Sequence, residues 1–182
     1  TAALNLLAII NDILDLSKIE AGKMEIVKDV YYLSSVLNNV VNMMRVKAEE
    51  KKLEFRVEVD EDIPDLLMGD DTRISQVIIN ILNNAVKYTR EGSVCLTVEQ
   101  VMQIPENSTE DAKGNSVWYG SVWHNESMSA DAGCDGEILL KISVSDTGIG
   151  IRKEDMSKLF GNFERLDQKA NKNVEGTGLG LS

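Results

Sequence analysis

The feature that most limits how this chain can fold is residues 71–89, DTRISQVIINILNNAVKYT. An acidic residue and a threonine suited to capping open the stretch. Apolar residues then recur at helical spacing through Ile78, Ile79, Leu82, Ala85 and Val86, which predicts a helix with one side held against a sheet. The other side is a polar ledge. Asn80 and Asn84 are four residues apart and so point the same way, and Lys87 follows three residues after Asn84. Asparagine competes with the backbone for hydrogen bonds inside a helix, so each one there needs a partner or a task. A side-chain carbonyl such as that of Asn84 is a hard-oxygen ligand for magnesium, and the Lys87 ammonium can meet a phosphate as a point charge.

The remaining pattern supplies a sheet and further helices. LEFRVEVD alternates and reads as a strand, as do GSVCLTVEQVM and EILLKISVSD, while KMEIVKDVYYL reads as a short strand with a turn and LLMGD as a short edge. Residues 33–52 predict a helix whose broad buried side is Leu33, Val36, Leu37, Val40, Met43, Met44 and Val46, with the methionine pair as core filler. At the start, TAALNLLAIINDILDLSKIEA sets Ala3, Leu7, Ile10 and Leu14 on a stripe widened by Leu6, Ile13 and Leu16, with Gly22 as its stop. A lone helix of that length is marginal in water, so this face should pack on a partner. Between the last two strands, residues 103–136 are polar and dotted with glycine, and read as a long insertion. It holds Trp118, Trp123 and His124; the histidine has no second ligand at metal spacing and reads as solvent-exposed.

Composition narrows the partners. With 43% hydrophobic and 27% charged residues, the chain can build a folded core, and a net charge of −11 argues against a nucleic-acid partner. Cys95 and Cys134 show neither metal-ligand nor C-x-x-C spacing, so a reducing, cytoplasmic setting is expected. No apolar run has membrane-spanning length. The chain is expected to be a piece of a longer protein, which leaves room for a membrane anchor elsewhere.

Two further stretches carry chemistry. ISVSDTGIG delivers Asp146 at the end of a strand, with Gly148 and Gly150 freeing the backbone to bend closely around a ligand. A buried carboxylate there would accept from the exocyclic amine of adenine and reject guanine, which presents a carbonyl. EGTGLGLS places Gly176, Gly178 and Gly180 at alternate positions, neither the dinucleotide fingerprint nor a Walker loop, yet suited to exposing backbone amides to phosphate. Upstream, KLFGNFERLDQKANKNVE joins Phe160 and Phe163 to Arg165, Lys169 and Lys172, the composition of a lid closing on phosphates.

In order and spacing, NILNNAVKYT resembles the N box, DTGIG the G1 box, LFGNFER the F box and GTGLGLS the G2 box of the ATP-binding catalytic domain of sensor histidine kinases. That family lies in the superfamily that also holds gyrase B, Hsp90 and the mismatch-repair ATPases. LLAIINDILDLSKIEAGKMEI resembles the second helix of the dimerisation and phosphotransfer hairpin. The resemblance implies an α/β sandwich, a mixed sheet covered on one face by helices, preceded by a long N-terminal helix. It divides the chain into hairpin helix (1–22) and catalytic domain (23–182), the latter truncated at its C-terminus.

It further implies ATP and Mg2+ as cofactors. Asn84 would coordinate the metal, Asn80 line the same site, Lys87 and Arg165 contact phosphate, and Tyr88 flank the nucleotide. Asp146 would take the adenine amino group, Gly148 and Gly150 shape its pocket, and Gly176, Gly178 and Gly180 contact the phosphates. The implied partners are the phosphoacceptor histidine of the hairpin, a response-regulator receiver domain, and a second copy in a homodimeric full protein, with this stretch alone open to being a monomer. The H-E-x-R-x-P stretch carrying that histidine is absent from these residues, so no autophosphorylation by them alone is expected. The alternatives are a hydrolytic ATPase of the superfamily and a non-catalytic nucleotide-binding or interaction module. For hydrolysis, the general-base glutamate one turn before the metal-binding asparagine would have to stand where Asn80 does, and an amide is no base.

Overall fold

The computed structural model describes residues 10, 13–15, 17–19, 21–101, 116–124 and 136–150. Residues 27–149 form one compact unit, and residues 1–26 with 150–182 form another. In the first of these the described elements are β1 (Asp29–Tyr32), α1 (Leu33–Glu50), β2 (Glu54–Val59), β3 (Leu66–Gly69), α2 (Asp71–Tyr88), β4 (Ser93–Val101), β5 (Ser116–His124) and β6 (Gly136–Asp146). The strands make one sheet in the order β1-β3-β5-β6-β4-β2, antiparallel throughout except for parallel β2 and β4.

This order explains the layering. β1 and β2 are the two edges, so α1, which joins them, must cross the whole sheet; α2 crosses the same face on its way from β3 to β4. Alternate residues of the central strands point at the helices and are buried: Val94, Leu96 and Val98 on β4, and Ile138, Leu140, Ile142 and Val144 on β6. Val40, Met44 and Ala48 of α1 and Ile78, Leu82 and Ala85 of α2 close the core from the other side. The mixed, helix-covered sheet expected from the sequence is therefore present.

Several local expectations need correction. Met43 and Val46 are exposed, at 44% and 57%, because the helical rotation of 100° per residue carries them off the stripe that buries Met44. LLMG is no edge, since β3 lies between β1 and β5. Asp70, one residue earlier than expected, caps α2 by accepting the Arg73 N–H at 3.0 Å. Within the stretch read as one long connection, Ser116–His124 form β5, which pairs with β6 from Ser116 opposite Val144 to His124 opposite Gly136.

α1 begins directly after β1, and Tyr32 offers it no side-chain cap. The cap comes instead from Asp65, far along the chain. Its carbonyl accepts the Leu33 N–H at 2.8 Å, and its carboxylate accepts the Ser34 N–H at 2.7 Å and the Ser34 hydroxyl at 2.9 Å.

In the other unit, Ile10, residues 13–15 and residues 17–19 are helical; the rest of the expected helix over residues 1–21 lies outside the described residues apart from Ala21, which stands in the closing turn. The stop at Gly22 is seen directly. Gly22 has φ +62, its N–H reaches Ile19 O at 2.9 Å, and the Lys23 N–H reaches Lys18 O at 2.9 Å, the paired bonds of a Schellman turn. Ile10, Ile13 and Leu14 stand exposed. None of the described helices is long and apolar enough to cross a membrane.

Candidate functional site

One strand pairing brings the two described motifs together. β4 starts five residues after α2 ends, and it runs antiparallel to β6 with Val94 opposite Asp146. The last turn of α2 and the last residue of β6 must therefore meet at one rim of the sheet.

At that rim, Asp146 Oδ1 accepts the Gly148 N–H at 2.8 Å and stands 3.4 Å from Thr89 Oγ1. The Thr89 hydroxyl donates back to Ala85 O at 2.8 Å, and Thr89 is fully buried. Gly148 is pressed into the same corner. A Cβ on it would fall 2.7 Å from both Asp146 Oδ1 and Tyr88 O, and 3.0 Å from Thr89 Oγ1. Only a glycine lets the backbone of the DTGIG turn lie this close to the end of α2. The Asp146 carboxylate is exposed, in contrast to the buried carboxylate expected, because β6 ends there and the chain turns away. With Oδ1 engaged, Oδ2 makes no hydrogen bond among the described residues and is the oxygen left for a donor on a ligand.

Thr147 fastens the turn from the other side. Its hydroxyl accepts the Ser93 N–H at 3.0 Å and reaches Glu91 O at 3.2 Å, and its own N–H donates to Ser93 O at 3.1 Å. Gly92, at φ +111, makes room for it, since a Cβ there would collide with the Thr147 hydroxyl. Gly92 O in turn accepts the Glu54 N–H at 2.9 Å, linking the corner to the start of β2.

Asn80, Asn84, Lys87 and Tyr88 all lie on α2 and are half-buried. Lys87 Nζ stands 5.0 Å from the centroid of the Tyr88 ring, a cation–π distance. Asn80 also lines an open depression of about 450 Å³ with Asp71, Thr72, Ser75, Gln76 and Ile79. Carboxamide oxygens on one helix side suit a hard divalent cation, and a carboxylate with one oxygen held by Gly148 and the other unbonded among the described residues suits an amine donor. The residues present thus fit a magnesium nucleotide. Gly150 is described and has φ +66, whereas Arg165, Gly176, Gly178 and Gly180 lie outside the described residues, as do Phe160, Phe163, Lys169 and Lys172.

Thr89 and Thr147 were not singled out from sequence. The signal for Thr89 was its place just past the last helical residue, where a hydroxyl readily bonds the carbonyl four residues back. Thr147 carried no local signal, because its partners lie more than fifty residues away.

A mixed sheet with two helices on one face, and a strand-end aspartate and glycine packed against the end of an asparagine-bearing helix, agree with the ATP-binding fold expected from the motifs. Residues 69–182 match the family described as histidine kinase-, DNA gyrase B-, and HSP90-like ATPase, and the chain belongs to that family. It is 34% identical over 177 residues to hybrid signal transduction histidine kinase B of Dictyostelium discoideum, covering 97% of this chain and 8% of that protein. It is also 34% identical over 180 residues to the signal transduction histidine-protein kinase BarA of Escherichia coli (strain K12), covering 99% of this chain and 16% of that one. The chain thus spans a small part of the relatives it matches. Among solved structures, full-length ShkA in complex with AMPPNP is similar at a TM-score of 0.66 and 25% identity, over 97% of this chain and 29% of that one.

Proposed function

We propose that this chain is the ATP-binding region of a two-component sensor histidine kinase, with residues 1–22 as part of the second hairpin helix and residues 23–182 as the catalytic domain. The observation that carries the reading is the contact of Gly148 and Asp146 with the last turn of α2, which unites two stretches that each have nucleotide-binding chemistry. Asp146 Oδ2 takes the adenine amine, Tyr88 flanks the base, and Lys87 turns to the phosphates. Asn84, with Asn80 beside it, holds Mg2+, which when bound neutralises charge on the phosphate oxygens. Gly150 shapes the adenine pocket, and Arg165, Gly176, Gly178 and Gly180 hold the phosphates.

The reaction is in-line displacement at the γ-phosphorus. A histidine nitrogen outside these residues forms the new N–P bond, the bond to the β,γ-bridging oxygen breaks, and ADP leaves. The phosphoryl group then passes to an aspartate of a receiver domain. These residues position ATP and need no acid or base of their own. Asn80 in place of a glutamate favours this over hydrolysis, since a carboxamide cannot take a proton from water. The working protein is a homodimer whose catalytic region acts on the cytoplasmic side, with room for a membrane anchor elsewhere in the full protein.

Calorimetric titration with ATP and GTP, with and without magnesium, tests the reading. Magnesium-dependent binding that prefers ATP is expected. Asn84→Ala should abolish the magnesium dependence, and Asp146→Asn should weaken ATP far more than GTP. Equal binding of ATP and GTP by the unmodified chain, or binding indifferent to magnesium, would sink the proposal.

A further inference from the structure

The carbonyls at the end of a helix have no partner within it and must find one elsewhere. At the end of α2, Ala85 O takes the Thr89 N–H at 3.0 Å and the Thr89 hydroxyl at 2.8 Å. Tyr88 O lies against Gly148. The two between them, Val86 O and Lys87 O, both accept from one side chain on the neighbouring helix: Lys51 Nζ donates to them at 2.7 Å and 2.9 Å. A fixed positive charge there also meets the negative end of the α2 dipole.

The direction of Lys51 is set by the way α1 stops. Lys51 is its C-cap, Lys52 N–H bonds Glu49 O at 2.9 Å, and Leu53 N–H bonds Ala48 O at 2.9 Å, while Lys52 adopts φ +58. This is a Schellman turn built with a lysine where glycine is favoured, a strained conformation held by the bonds on both sides. Lys47 also reaches from α1 to α2, but its ammonium meets the Asn83 side chain at 2.7 Å, one turn earlier.

We propose that Lys51 is a positioning residue for the nucleotide site, acting through the last turn of α2; the proposal rests on reading that site as an ATP-binding one. The turn it holds carries Lys87 and Tyr88 and ends at Thr89, beside Asp146. Lys51 clamps it from the α1 side and Gly148 bounds it from the other. Without the ammonium, two carbonyls lose their partner and the turn is free to unwind, which moves the phosphate-facing lysine and the base-flanking tyrosine together. Lys51 itself acts through those two carbonyls and is not among the residues assigned to the nucleotide.

The test is MgATP titration of the intact chain as wild type, Lys51→Met, Lys51→Arg and Lys47→Met, with amide hydrogen exchange followed at Thr89 and Gly148. Lys51→Met should lower MgATP affinity roughly ten-fold and speed exchange at both amides. Lys51→Arg, whose guanidinium can also donate to two carbonyls, should return affinity to within about two-fold of wild type. Lys47→Met should leave affinity and exchange unchanged. If Lys51→Met fails to fold, Lys51→Gln makes the same comparison with one neutral donor. Wild-type affinity in Lys51→Met, or an equal loss in Lys47→Met, overturns the proposal while leaving the ATP site intact. Failure of the wild type to bind nucleotide overturns the site reading and this proposal with it.

Discussion

The Gly148 backbone lies so close to Tyr88 that a Cβ on the glycine would fall 2.7 Å from the Tyr88 carbonyl oxygen. Gly148→Ala should therefore force the turn off the end of α2. The expected cost is about 1–3 kcal/mol of stability in denaturant melts, with loss of ATP binding. A variant that melts with the wild type would show that the turn is not pressed against the helix.

Thr89 is fully buried and its hydroxyl bonds Ala85 O while standing 3.4 Å from Asp146 Oδ1. Thr89→Val keeps the shape and removes the donor, so a loss of about 1 kcal/mol is expected. Thr89→Ser keeps the hydroxyl and should retain ATP affinity that Thr89→Val loses. Equal titration curves for the two variants would rule out a role for the hydroxyl.

Tyr31 is buried in β1, and its hydroxyl has no hydrogen-bond partner among the described residues. Burial first, and the Asp71 carboxylate second, push its pKa from 10.0 up to about 12. Between those values the unfolded chain has released the proton and the folded one has not, so stability is fully present below pH 10.0 and falls as pH rises toward 12. Tyr31→Phe should remove that alkaline loss and add about 1 kcal/mol near neutral pH by deleting an unpaired hydroxyl. Chemical melts at pH 7 and across the alkaline range check both; an unchanged alkaline slope in the variant would refute the assignment.

Lys52 occupies the left-handed region at φ +58. Lys52→Gly should relieve about 1 kcal/mol of strain and raise the melting temperature, provided the Schellman bonds persist. A lower melting temperature would show that the Lys52 side chain contributes more than its backbone costs.

How far sequence carried the reading depends on distance along the chain. The α2 helix was legible from Asp71 to Tyr88 because its period and its apolar stripe are local, and β2, β4 and β6 were legible because alternation is local too. Met43 was not legible in the same way, because α1 buries some adjacent pairs, Val36 with Leu37 and Val40 with Val41, and only the packing decides that Met44 is buried while Met43 is not. β5 was hidden because Ser116–His124, though rich in the strand formers Val117, Trp118, Tyr119, Val122 and Trp123, sit within a long polar, glycine-dotted stretch, and their place in the sheet comes from pairing with β6. In the candidate site, Asn80, Asn84, Lys87 and Asp146 were visible as residue types at suggestive spacing, whereas Thr89, Thr147 and Lys51 were not.

By itself, then, the sequence determined the helices and strands with strong periodicity, the order of the motifs and the family to which they point, all of which depend on neighbours within a few positions. Tertiary structure decided that Asp146 meets Thr89, that Asp65 caps α1 and that Lys51 holds the end of α2. Those contacts exist because β4 pairs with β6 and two helices share one face of the sheet. Hydrogen bonds between residues thirty or more positions apart follow from strand order, and strand order leaves no trace in local spacing.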